Sequence, residues 1–159
     1  MTNFIMSEGG SRIRELPGLF NLHGALSISK LQNVEDEKDA TDAKLKEKRY
    51  LSWLKLDWGS NSGISPNDMS VMQNLQPPDE LKELIIASYP GVKLPDWLGY
   101  SSLSNLVSLQ LIDCLNCSDL PPLGQLPRLE ILLIEGFHAL HRVSKEFFGN
   151  RSSSSTIRF

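Results

Sequence analysis

The chain has 159 residues and a mass of 17.8 kDa, with 40% hydrophobic and 22% charged residues. That is enough for one domain with a real core, and it excludes a chain disordered throughout. A net charge of -3 gives no electrostatic reason to expect nucleic acid, and two cysteines, Cys114 and Cys117, cannot build a disulfide scaffold. No run approaches the roughly 18 apolar residues of a membrane span. The first residues lack the basic region and apolar core of a signal peptide. A soluble, cytoplasmic chain is the expectation.

Thr2 to Ile5 read as the end of a strand, and Ser7 to Arg12 as a polar loop. Leu16-Pro17-Gly18-Leu19 then leads into Leu26-x-Ile28-x-x-Leu31-x-Asn33, the first complete unit. Asp36 to Arg49 is charged, with acids early and bases late, which matches a helix dipole. A solvent-facing helix is expected there, with Asp36 near its N-cap. Leu51-x-x-Leu54-x-Leu56-x-Trp58 is the second unit, and a polar insert, Gly59 to Asp68, interrupts the rhythm. Asp68 is placed to cap a short helix whose Val71, Met72 and Leu75 share one face and which Pro77-Pro78 ends.

The third unit is Leu81-x-x-Leu84-x-Ile86-x-x-Tyr89 and the fourth Leu103-x-x-Leu106-x-x-Leu109-x-Leu111-x-x-Cys114. The fifth runs Leu126-x-x-Leu129-x-x-Leu132-x-Ile134-x-x-Phe137, after which Val143, Phe147 and Phe148 suit a short helix or turn. The equivalent leucines Leu26, Leu54, Leu84, Leu109 and Leu132 stand 28, 30, 25 and 23 residues apart. That period and phrase are those of leucine-rich repeats, about 20–29 residues each.

The expected fold is therefore α/β: a leucine-rich-repeat solenoid with a curved parallel sheet on the concave side, and irregular loops and short helices on the convex side. Residues 1–15 are assigned to a partial repeat and loop, 16–150 to about five repeats, and 151–159 to a serine-rich, disordered end. Both ends read as cut within the array, so the isolated chain is expected to be marginal or sticky.

Strand alternation decides which residues face outward. With Leu54 and Leu56 inside, Trp53, Lys55 and Asp57 line the concave surface. The same register adds Glu83, Ile85 and Ala87, then Ser108, Gln110 and Ile112, then Ile131, Leu133 and Glu135, with Ala25, Ser27 and Ser29 from the first unit. An apolar strip bordered by charges in a curved sheet points to a protein-binding face.

Other chemistry fares worse. Cys114-x-x-Cys117 and His138-x-x-His141 have zinc-ligand types, but their spacer of 20 residues and their histidine gap miss the usual finger spacing. Cys114 has a plainer role in pinning the turn, at the place Asn33 takes in the first unit. There is no GxxxxGK, GxGxxG, HExxH or GxSxG, and His23 is expected at the surface, so no enzyme activity and no metal are expected.

Leu22 to Val34 (Leu-His-Gly-Ala-Leu-Ser-Ile-Ser-Lys-Leu-Gln-Asn-Val), with the helix ending Leu45-Lys-Glu-Lys-Arg-Tyr-Leu51, resembles the repeat region of plant intracellular disease-resistance receptors. These are nucleotide-binding, leucine-rich-repeat proteins of the coiled-coil class. Tyr89-Pro-Gly-x-x-Leu-Pro-x-Trp-Leu98, Leu120-Pro-Pro-Leu-Gly-Gln-Leu-Pro-x-Leu129 and Val143-x-x-Glu-Phe-x-Gly149 strengthen the likeness.

The resemblance implies a protein partner, either a pathogen effector or a guarded host protein. It also implies an alternative, an autoinhibitory scaffold that contacts the receptor's own nucleotide-binding domain through the charged helix or Lys55. ADP or ATP would belong to that domain, since the chain lacks its phosphate loop. No cofactor is expected here.

Overall fold

A strand in which every second residue is a leucine or isoleucine has one face to bury and cannot bury it alone. Such a strand brings two large apolar side chains, each contributing about 1.5–3 kcal/mol when buried. Ordering each residue of its repeat costs about 1–2 kcal/mol. The chain resolves this by stacking.

The computed structural model describes residues 2–5, 11–60, 63–99, 101–141, 143, 147 and 156–158. In it β1 (Thr2–Ile5), β2 (Gly24–Ser29), β3 (Leu51–Asp57), β4 (Glu83–Ala87), β5 (Ser108–Ile112), β6 (Ile131–Glu135) and β7 (Thr156–Arg158) pair in parallel, each with the next in sequence. The register sets Leu26, Leu54, Leu84, Leu109 and Leu132 in one row, and Ile28, Leu56, Ile86, Leu111 and Ile134 in the next. All ten are buried. The leucine-rich-repeat solenoid is the fold.

The returns on the far side are short. Single 3-10 turns occupy Leu31–Asn33, Leu45–Glu47, Ser101–Leu103 and Leu123–Gln125, and two α-helices, α1 (Glu37–Asp42) and α2 (Asp68–Asn74), carry the longer repeats. Their leucines, with Trp58, Tyr89, Trp97 and Phe147, complete one continuous core.

Three expectations are corrected. The polar loop gives way at Ser11 to a 3-10 helix, Ser11–Gly18, whose Ile13 and Leu16 are buried. At the other end Thr156–Arg158 form β7, with Ile157 beside Leu132, so disorder does not extend over these residues. A lone isoleucine after a serine run carries too little period to be read as a strand. Residues 6–10, 151–155 and Phe148 lie outside the described residues.

The charged segment is the third. Asp36 does cap α1, accepting the Lys38 backbone N–H at 2.9 Å. The helix ends at Asp42, however, because Lys44 turns left-handed at φ 50° and the rest becomes a 3-10 turn. Nor is it all solvated. Arg14 donates to buried Asp39 at 2.8 Å, and the buried Lys48 ammonium donates to the Leu16 and Leu19 carbonyls at 2.7 and 3.1 Å. Burial lowers the Lys48 pKa. Both charges anchor the first repeat's return.

The strands leave the sheet by a shared device. Lys30, Ser88, Asp113 and Gly136 follow β2, β4, β5 and β6 directly, and Gly59 follows β3 after one extra residue; all five have positive φ. The Ser88 and Asp113 N–H groups each donate at 2.8 Å to the last carbonyl of the next strand. The ladder therefore runs to its end before the chain swings out.

At Gly136 the φ is 72°, and an added Cβ would press on the Asp113 backbone, 2.8 Å from its Cα. Gly136→Ala should therefore lose about 1–3 kcal/mol of stability in urea melts. Gly63→Ala, with open space around it, should stay within about 0.5 kcal/mol.

Candidate sheet-face interface

The outward side chains of β2 to β6 fall into three rows by the same register. Ala25, Trp53, Glu83, Ser108 and Ile131 form the first; Ser27, Lys55, Ile85, Gln110 and Leu133 the second; Ser29, Asp57, Ala87, Ile112 and Glu135 the third. The structure thus brings every residue expected on the concave face onto one surface. Glu83, Ile131 and Glu135 are exposed, and Trp53, Lys55, Asp57, Ile85, Gln110, Ile112 and Leu133 are half-buried. Ile131 keeps 48% of its surface open, much for a β-branched apolar side chain.

Ser108 departs from expectation. It occupies the right row but is 7% exposed. A hydroxymethyl group between Glu83 and Ile131 is too short to rise past them. Ala87, likewise 7% exposed, sits low between Asp57 and Ile112 for the same reason. Both are floor, not reading surface.

The charges are unevenly committed. Lys55 and Asp57 pair with each other at 2.9 Å, and Asp57 also accepts the Gly59 N–H at 2.8 Å. They face one another two residues apart on one strand, so neither is fully available to a partner. Glu83 and Glu135 enter no ion pair among the described residues.

Behind β3 and β4 lies a polar link that sequence reasoning missed. Asp68 opens α2, where it was expected to cap, but Asn67 holds the cap position. Its carboxylate instead accepts the Trp58 indole N–H at 3.2 Å and the Ser65 N–H at 2.6 Å. Trp58 packs edge-on against Tyr89 with ring centroids 5.0 Å apart. The polar insert is therefore tied to the core through one buried acid.

Contrary to expectation, Cys114 does not stand at the level of Asn33. Counting from the first leucine of each strand puts it level with buried Leu31 and Tyr89, while Asn33 is level with Asn116. The Cys114 thiol lies 3.7 Å from the Ile112 carbonyl of its own strand and also meets the Tyr89 backbone of the preceding repeat. Asn116, whose amide donates to the Pro90 carbonyl at 3.0 Å, and the Cys117 thiol, 3.1 Å from the Gly91 carbonyl, add further contacts with that repeat.

Both cysteines are buried, and the neighbouring thiol and burial push the Cys114 pKa well up, as in an inert structural cysteine. Among the described residues no three Cys, His, Asp or Glu side chains gather into a metal-binding group. His23 is exposed and stacked on Tyr50 at 4.4 Å. No helix among the described residues is long and apolar enough to cross a membrane.

A parallel sheet of register-locked leucines with short returns defines a leucine-rich-repeat module. The profile of one such family, the R13L1/DRL21 LRRs, matches residues 13–137, and the chain belongs to that family. It is 38% identical over 169 residues to At3g14460 of Arabidopsis thaliana, covering 100% of this chain and 12% of that protein. RPP13-like protein 1 of the same plant is 38% identical over 156 residues, covering 92% and 15%. RGA1 of Solanum bulbocastanum is 43% identical over 123 residues, covering 77% and 12%. All three carry disease resistance in their names. The chain thus spans only a small part of the relatives it matches. No solved structure matches it.

Asp68 yields a pH-dependent prediction. Burial raises its pKa above the ordinary 3.8 despite the two hydrogen bonds that favour the carboxylate. Its contribution to stability is therefore full below pH 3.8 and is lost as pH rises through the higher folded-state value. In urea melts over that window, native protein should lose stability relative to Asp68→Asn as pH rises. Asp68→Ala should cost about 1–3 kcal/mol throughout by stranding the Trp58 N–H. Parallel pH curves for native protein and Asp68→Asn would contradict the assignment.

Proposed function

We propose that this module is the protein-binding part of a plant innate-immune receptor, acting inside the cell and recognising a pathogen effector or a guarded host protein in the defence response. The observation that carries it is the half-open apolar strip of Ile85, Ile112, Ile131 and Leu133 on an ordered sheet, with Trp53 at its side. Apolar side chains held open on rigid strands are what a protein interface uses for its buried centre. The plant disease-resistance names of the relatives supply the biological setting. The chain needs no cofactor for such a role and performs no catalysis. ADP or ATP would belong to a nucleotide-binding domain elsewhere in the receptor.

The autoinhibitory scaffold draws on charges of the Asp36 to Arg49 segment and near Lys55. Part of that charge is committed within the chain. Asp39 and Lys48 are spent on the first repeat's own return, and Lys55 is held by Asp57.

Ile112→Asp, Glu135→Lys and Lys55→Glu test the face in the whole receptor. Each should keep the native circular-dichroism spectrum, with Lys55→Glu costing about 1 kcal/mol or less for its partly exposed pair. Binding titrations against the cognate effector or guarded protein should show at least one affinity falling by about tenfold or more. Unchanged affinity in all three would show that the partner binds elsewhere.

A further inference from the structure

Strands β4, β5 and β6 present a three-by-three block of outward positions, and its charges lie on one diagonal. Glu83 begins the block on β4 and Glu135 ends it on β6, with Gln110 at the centre. Strand spacing and rise put the two glutamates about 10 Å apart across the sheet and about 13 Å apart along it. Between them Ile85, Ile112 and Leu133 flank the Gln110 amide, all half-buried.

Neither glutamate has an ion-pair partner among the described residues, in contrast to the self-neutralised Lys55–Asp57 pair one strand away. Around the block Asp113 and Glu130 are exposed acids, and Lys82 is an exposed base at its edge. Arg158 stands beside Leu133 in the register, one strand further out.

From this arrangement we infer that the face selects a basic partner: a protein segment that sets two cationic side chains on Glu83 and Glu135 and lays apolar side chains over Ile85, Ile112 and Leu133 between them. The inference rests on the sheet face being the binding face, as proposed above, and adds the chemistry of what it binds. The diagonal separation suits an extended segment of about five residues. Acidic corners with an apolar middle repel an acidic segment and leave a purely polar one without burial, so charge and apolar surface act together.

The test uses the full chain and three synthetic peptides of equal length, titrated by fluorescence: Arg-Ser-Leu-Ser-Arg (Arg–Leu), Glu-Ser-Leu-Ser-Glu (Glu–Leu) and Arg-Ser-Gly-Ser-Arg (Arg–Gly), whose first, third and fifth side chains share one face of an extended segment. The Arg–Leu peptide should bind at least about tenfold more tightly than either other, and rising salt should weaken it. Glu83→Gln with Glu135→Gln should remove about tenfold of that affinity. The charge-matched control Glu35→Gln with Glu37→Gln, two exposed acids outside the face, should remove none.

Absence of Arg–Leu binding, equal binding of the Glu–Leu or Arg–Gly peptide, or equal loss in the control would overturn the inference. Ile112→Asp separates it from the wider proposal. Loss of binding there, with none in Glu83→Gln/Glu135→Gln, leaves the face standing and removes its charge selectivity. Unaltered binding in both removes the two together.

Discussion

The sheet depends on pairing two inward side chains per strand with the same two on each neighbour. Leu54 and Leu56 are buried because Leu26 and Ile28 lie on one side of them and Leu84 and Ile86 on the other. Removed from the stack, each repeat faces the entropy of ordering some two dozen residues with two strand side chains and a few return leucines to offset it. The parallel hydrogen-bond ladder gains its strength by the same adjacency. Fold and stability are thus properties of the array, and the outward face inherits its rigidity from the buried one.

That division of labour explains what was legible from the sequence. A leucine every second residue, repeated every two to three dozen, reports both period and orientation, so the inward rows and the outward rows were readable together. Trp53, Ile85, Ile112, Leu133 and Glu135 stand where alternation places them. Height above the sheet was not readable, because it depends on neighbours brought in from other repeats. Ser108 and Ala87 have the right orientation but too short a side chain between taller ones.

The remaining departures share one cause, contacts that close across repeats. The Asp36 to Arg49 run has the composition of a solvated helix, yet Asp39 and Lys48 meet Arg14 and the Leu16 and Leu19 carbonyls more than twenty residues earlier in the chain. Asp68 resembles a helix cap, and its carboxylate turns inward to Trp58. Cys114 is two residues short of the level of Asn33, which the register gives to Asn116. The left-handed column at the strand ends has no glycine signature at Lys30, Ser88 and Asp113. Each tolerates a strain of about 1–2 kcal/mol that the completed ladder holds in place.

The central claim is that adjacent residues of one strand do opposite work, one holding the array and the next forming its surface. Equilibrium urea unfolding of Leu109→Ala and Gln110→Ala, followed by tryptophan fluorescence, measures this most directly. Leu109→Ala should lose about 2–5 kcal/mol in a transition that Trp53 and Trp58, two repeats away, also report. Gln110→Ala should stay within about 0.5 kcal/mol of the native protein. Comparable losses from the two, or a Leu109→Ala transition that the tryptophans do not sense, would contradict the account.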